Sequence, residues 1–262
     1  MDRFAAAFAL ICATLLTASP ASRHFRLFDN MSYRGKPDTT ADGFTVSNIL
    51  YESAIWPKGT PYGVLPERAA FEALVRAHAG APGPLVLDIE KLPVKGPAAA
   101  AQAHEAILAT LADWARAAVG GKLVGYYGTN TLTRVPTDAV PYARELARHV
   151  NAFFPPAYTY DDDQTLWATR AKAAVEEAHS FGPGKPVYLY LWPQYHDNTP
   201  KQFEYLSSAY WLFELRTAKE ASDGLVIWGP SRFDWNDQTG WWAATLTIIH
   251  SLEHGNHGEV AR

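Results

Sequence analysis

A chain of 262 residues with 19% charged residues and a net charge of −4 has no basic excess to set against phosphates, so its composition argues against a nucleic-acid partner. Its hydrophobic fraction of 48% fits a globular chain with a sizeable core. Nine Trp and thirteen Tyr exceed what such a core ordinarily uses, and flat aromatic faces suit sugar rings, although more than half of these residues are expected to be packing.

Residues 1–22 read as a secretory leader: Arg3, then the apolar run 4–16, then small residues ending near Ala21 and Ser22. The run is too short for a membrane span, and no later segment is long enough for one. The single cysteine, Cys12, lies inside this leader, so an exported chain holds together without disulfides. The expected location is therefore secreted or periplasmic.

About 240 residues then remain, 23–262, close to the ~250 of a single (β/α) barrel domain. Apolar runs predict strands over 25–30, 44–50, 85–90, 123–127, 153–158, 187–191 and 225–229. Helical periodicity, often with proline near the first turn, covers 66–78, 97–119, 139–151, 164–181, 202–221 and 238–254. Strict alternation implies parallel strands joined by crossover helices. The expected fold is thus α/β: a TIM-like (β/α) barrel of seven or eight parallel strands in one domain.

The third strand, PLVLDIEKLP, runs from an apolar core segment into Asp88 and Glu90. Residues i and i+2 of a strand share a face, with Cα atoms roughly 6.5 Å apart, so both acids can serve one pocket. Two such charges do not ionise independently; the carboxyl in the drier setting keeps its proton to higher pH. The other strand ends carry Asp29, Tyr126, Tyr127, Tyr158, Tyr160, Trp192, Tyr195, Asp197 and Trp228. In barrels these ends form the working face, and two acids within an aromatic wall are what hydrolysis of a glycosidic bond requires. Three other features read as structural. His250, His254 and His257 lack a flanking carboxylate motif, Asp161–Asp163 lacks the glycine and glutamate of a calcium loop, and Tyr188 and Tyr190 read as packing. No metal and no cofactor are expected.

Several segments, in order, resemble the hyaluronidase family of glycoside hydrolases (family 56). LVLDIEKLPVKG looks like its acidic signature, and Trp56-Pro57 through Gly63-Val64-Leu65-Pro66 is similar to the segment upstream of it. Val124-Gly125-Tyr126-Tyr127, Phe154-Pro155-Pro156-Ala157-Tyr158, Pro186-Val187-Tyr188 leading to Tyr195-His196-Asp197, and Val226-Ile227-Trp228-Gly229 resemble its later motifs. Ile89 stands where the family usually has Trp, and the animal enzymes' disulfides are missing, as in a remote, bacterial relative.

The resemblance implies a retaining, substrate-assisted endo-glycosidase acting on an N-acetylhexosamine-containing polysaccharide or oligosaccharide. Glu90 would be the general acid/base, and Asp88 would hold the substrate's acetamido group. Tyr158 and Tyr195 would hydrogen-bond that group, Trp228 would lie under the sugar ring, and Tyr126 and Trp192 would complete the wall. Two alternatives stay open. One is a non-catalytic glycan-binding barrel; the other is a glycosidase for polymers without 2-acetamido groups, with Asp29 or Asp197 as the second carboxylate.

Overall fold

The computed structural model describes residues 25–128 and 138–255. The expected leader, with Cys12, and His257 lie outside them.

Strands and helices alternate along much of the chain, though not throughout it. The strands are β1 (Arg26–Met31), β2 (Thr45–Val46), β3 (Asn48–Tyr51), β4 (Leu85–Asp88), β5 (Val124–Tyr126), β6 (Tyr188–Leu191) and β7 (Gly224–Gly229). The helices are α1 (Glu52–Ile55), α2 (Arg68–His78), α3 (Ala98–Val119), α4 (Val140–His149), α5 (Gln164–Phe181), α6 (Ser208–Ala221) and α7 (Trp241–Gly255). All ladders between them are parallel, in two sheets of order β2-β1-β7-β6 and β3-β4-β5. Leu85, Val86 and Leu87 are completely buried, as a strand covered on both faces must be. From α2 to α7 each helix packs on the next in sequence.

Local chemistry sets the element ends. Glu67 caps α2 by accepting from the backbone N–H groups of Ala69 and Ala70, Asp163 caps α5 through Leu166, and Ser207 caps α6 through Tyr210. On α3 the buried residues Ala101, Glu105, Leu108, Ala112 and Ala115 recur at alternating steps of four and three, which lays one stripe on the sheet. Gly120 and Gly121, both at positive φ, end that helix.

Two departures from the predicted elements have physical causes. The segment 153–158 makes only single bridges, Tyr127 to Phe154 on one side and Phe153 to Val187 and Pro156 to Tyr190 on the other. Pro155 and Pro156 have no N–H to give, so no continuous ladder forms there. Gly125 lets this segment approach, because a Cβ at that position would lie 2.2 Å from the Ala152 carbonyl oxygen. The sixth predicted helix starts later than 202 because residues 203–206 turn back along the end of β6. Gln194 bridges Tyr205 antiparallel, Phe203 N–H donates to Tyr195 O, and Leu206 N–H donates to Pro193 O.

β2 and β3 are nearly one strand that changes partner at Ser47. Ser47 N–H donates to Asp29 O of β1, and Asn48 N–H donates to Pro84 O beside β4.

Candidate active site

Asp88 ends β4, and Glu90 follows in the loop. At the same C-terminal edge, Tyr127 follows β5, Tyr158 ends the bridged segment, Trp192 follows β6 and Trp228 lies near the end of β7. These side chains, with Ile49, Tyr190, His196, Asp197 and Arg232, line one cleft of about 270 Å³. A larger hollow of about 600 Å³ opens at the opposite strand ends, around Arg26, Pro84 and Leu123, and among the described residues no carboxylate lines it. The paired acids and the aromatic wall therefore share one end of the sheets, where a barrel keeps its chemistry.

The two acids meet different surroundings. Asp88 is largely covered and Glu90 is exposed. Burial is the main force raising Asp88 from 3.8 to about 7, helped by the charges of Glu90 and Glu52 and by a hydrogen bond between the Asp88 and Glu90 carboxyl groups. The resemblance makes Glu90 the general acid, the group that carries the proton. Burial falls on Asp88 instead, which ends the strand, while Glu90 lies past it.

The aromatic wall is rigid. The Trp192 indole N–H lies 3.0 Å from both the Tyr33 hydroxyl and Gln194 Oε1, and the Tyr33 hydroxyl donates to the same Gln194 oxygen at 2.9 Å. Gln194 Nε2 donates in turn to Phe203 O at 2.6 Å. Trp192 and Trp228 meet edge to face with ring centroids 4.9 Å apart. Trp228 is hydrogen-bonded to Tyr51. Tyr127 and Tyr158 are hydrogen-bonded to each other, and burial raises both hydroxyls well above the ordinary range. His196 stacks on Tyr158 at 5.3 Å, and its Nδ1 lies 2.5 Å from Asp197 Oδ1.

Asp88, Glu90, Tyr158, Trp192 and Trp228 of the sequence-predicted set thus come together, and two predicted wall residues do not. Tyr126 is turned into the core, where its hydroxyl donates to Leu108 O of α3 at 2.7 Å; its neighbour Tyr127 takes the cleft face, since successive strand residues point opposite ways. Tyr195 donates its hydroxyl to Asp162 and lies under the Lys201 ammonium, outside the cleft. Asp29 is also elsewhere: it is buried and already accepts from Met31 N, Thr39 Oγ1 and Lys36 Nζ.

Sequence reasoning passed over Tyr190 as packing, and gave no role to His196 or Arg232. The signal for Tyr190 was its place two residues before Trp192. Arg232 rests its guanidinium on Phe203 and Phe233, 4.5 and 5.0 Å from their centroids, and nothing local in the sequence announces that. The run Asp161–Asp163 forms a tight turn: Asp163 caps α5, and Asp162 pairs with Lys201 at 2.6 Å.

No protein-family model and no curated protein matches the chain. Among solved structures it is similar to bee venom hyaluronidase, with a TM-score of 0.64 and 16% identity over 87% of this chain and 99% of that one. A structure of bee venom hyaluronidase in complex with a hyaluronic acid tetramer gives 0.59 and 16%, over 87% and 96%. A GH18 chitinase from Pseudoalteromonas aurantia gives 0.51 and 12%, over 87% and 99%. These neighbours are TIM-barrel glycoside hydrolases, and the likeness at such identities is one of fold.

Proposed function

We propose that this chain is an exported, hyaluronidase-like endo-glycosidase that cleaves an N-acetylhexosamine-containing polysaccharide with retention, the substrate's acetamido oxygen acting as nucleophile. The observation that carries this reading is the buried Asp88, raised to about 7 and hydrogen-bonded to the exposed Glu90, inside the wall of Tyr127, Tyr158, Trp192 and Trp228. The fold it needs is a closed barrel of seven strand positions, which the pairings through Ser47 and the bridged segment 153–156 support.

The pair then works as a unit. Asp88, raised to about 7, holds the pair's proton for part of the time near neutral pH. An acetamido group entering between the wall and Asp88 offers its N–H to that carboxyl, which favours the charged form of Asp88 and moves the proton to Glu90. Glu90, at the open side, gives it to the leaving glycosidic oxygen as the acetamido oxygen bonds to the anomeric carbon. Water then attacks that carbon, Glu90 takes its proton back, and the acetamido group is released. Tyr127 and Tyr158 stand where they can hold the acetamido oxygen, and Trp228 and Trp192 form the apolar floor.

The bridged segment and β6 thus supply Tyr158 alone of the two tyrosines first expected to hold that group. Asp197, which lines the cleft beside His196, is what favours the second reading, a glycosidase whose polymer lacks acetamido groups. Digests of hyaluronan, chondroitin, chitin oligomers and a de-N-acetylated polymer, read by product mass, separate the two. Export with removal of roughly the first 21 residues is tested by the mass of the exported protein, and an intact N-terminus contradicts it.

A further inference from the structure

Glu52, the first residue of α1, lies outside the wall and the acid pair, yet it is tied to the chain that carries Glu90. Its Oε2 accepts from the backbone N–H of Glu90 at 3.2 Å and of Lys91 at 3.3 Å, and from the Tyr62 hydroxyl at 2.5 Å. Its Oε1 pairs with the Lys91 ammonium, which also lies 5.1 Å from the Tyr62 ring centroid. The Glu52 side chain is 17% exposed, whereas that of Lys91 is 70% exposed. An exposed lysine pair alone is worth little, but an acceptor shared by two successive backbone N–H groups fixes the direction of the chain leaving β4. That chain carries Glu90.

We propose that Glu52 is a positioning residue for the acid pair: its carboxylate holds the Glu90 backbone at the strand end, and its negative charge keeps the pair's proton on the enzyme. The proposal rests on the reading of Asp88 and Glu90 as the reacting acids. Two features of Glu52 are used, an oxygen that accepts and a charge that repels, and the charge is removable on its own.

The groups facing Asp88 are Glu90 in its own loop, Glu52 and Tyr51 from the β3–α1 turn, Tyr62, Tyr127 after β5, Tyr158 and Tyr190. Glu90 and Glu52 are the acids in this set whose charges raise Asp88. Lys91 is the cation bound to Glu52, and His196, Asp197 and Arg232 line the same cleft as Asp88. Neutralising Glu52 removes a like charge and leaves the Lys91 cation unmatched, and both changes favour ionised Asp88. The expected displacement of Asp88 is therefore to lower pH.

Glu52→Gln keeps an oxygen for the two N–H groups and loses the charge; Glu52→Ala loses both. In the full chain, carboxyl NMR of Asp88, identified by its loss in Asp88→Asn, should show its titration midpoint lowered by about one pH unit in Glu52→Gln. Hydrogen exchange at the amides of Glu90 and Lys91 should stay slow in Glu52→Gln and accelerate at least tenfold in Glu52→Ala. On the polymer that the wild type cleaves, Glu52→Ala should lower kcat by about 10²-fold with KM little changed, the usual cost of a misplaced reacting group. An unmoved Asp88 midpoint in Glu52→Gln, or unchanged amide exchange in Glu52→Ala, overturns the proposal. Full hydrolysis by Glu90→Gln overturns instead the underlying reading of the acids, so the two failures are told apart.

Discussion

Asp88 and Glu90 differ by one methylene and stand two residues apart, and the fold gives one of them burial and the other access to the open cleft. Glu90→Gln keeps the shape and removes the transferable proton, so hydrolysis should fall by at least ~10²-fold, the scale of a general acid's contribution. Unimpaired turnover by that variant would take Glu90 out of the chemistry. For Asp88 the sign of the pH effect on stability follows from its raised value. The unfolded chain releases this proton near 3.8 and the folded one near 7, so the stabilisation is fully present below 3.8 and declines as pH rises through that window. Asp88→Asn should flatten that decline in melting temperature measured from pH 4 to pH 7, and an unchanged slope would mean that Asp88 is not the group responsible. At this scale the acids were legible as a pair at a strand end, although the strand stops at Asp88 and Glu90 reaches the same cleft from the loop after it. The tyrosines were legible only in part. Tyr126 and Tyr127 are adjacent, and a one-residue difference in strand phase exchanges core for cleft.

Among the elements, the return of residues 203–206 along the end of β6 supports the cleft wall from behind Trp192. It brings Phe203 O to Gln194 and so fixes the oxygen that receives the Trp192 indole and the Tyr33 hydroxyl. Gln194 is 2% exposed, and Gln194→Ala removes the acceptor of the Tyr33 hydroxyl and one of the two acceptors of the Trp192 indole, at a cost of about 1–3 kcal/mol. The variant should melt earlier and bind chitin or hyaluronan oligomers more weakly, as Trp192 loses its anchor; a lowered melting temperature with unaltered affinity would confine Gln194 to the core. Helical periodicity across 202–221 hid this return, since Gln202 to Leu206 continue the helix pattern in sequence while tertiary pairing claims their backbone. The segment 153–158 shows the reverse case. Its apolar run and its bridges agree, yet Pro155 and Pro156 deny it a ladder.

For the molecule as a whole, alternation of strand and helix patterns announced parallel sheets with helices packed outside them, and the likeness to bee venom hyaluronidase spans 87% of the chain. Short-range pattern is sufficient for that much, because each βα unit is local. The make-up of the cleft is not local. It draws on the ends of β3, β4, β5, β6 and β7 and on the loops after them, and Arg232 and His196 enter it only once those ends converge. The neighbours share the fold at 16% and 12% identity, so the substrate has to be read from the site, where participation of the substrate's own acetamido group is the proposal to be tested. The most direct measurement is the cleavage of one polymer in its N-acetylated and de-N-acetylated forms under identical conditions, with products read by mass. Acetamido participation predicts rapid cleavage of the first and resistance of the second even where it binds. Equal cleavage of both would contradict it and pass the role of nucleophile to a carboxylate of the protein.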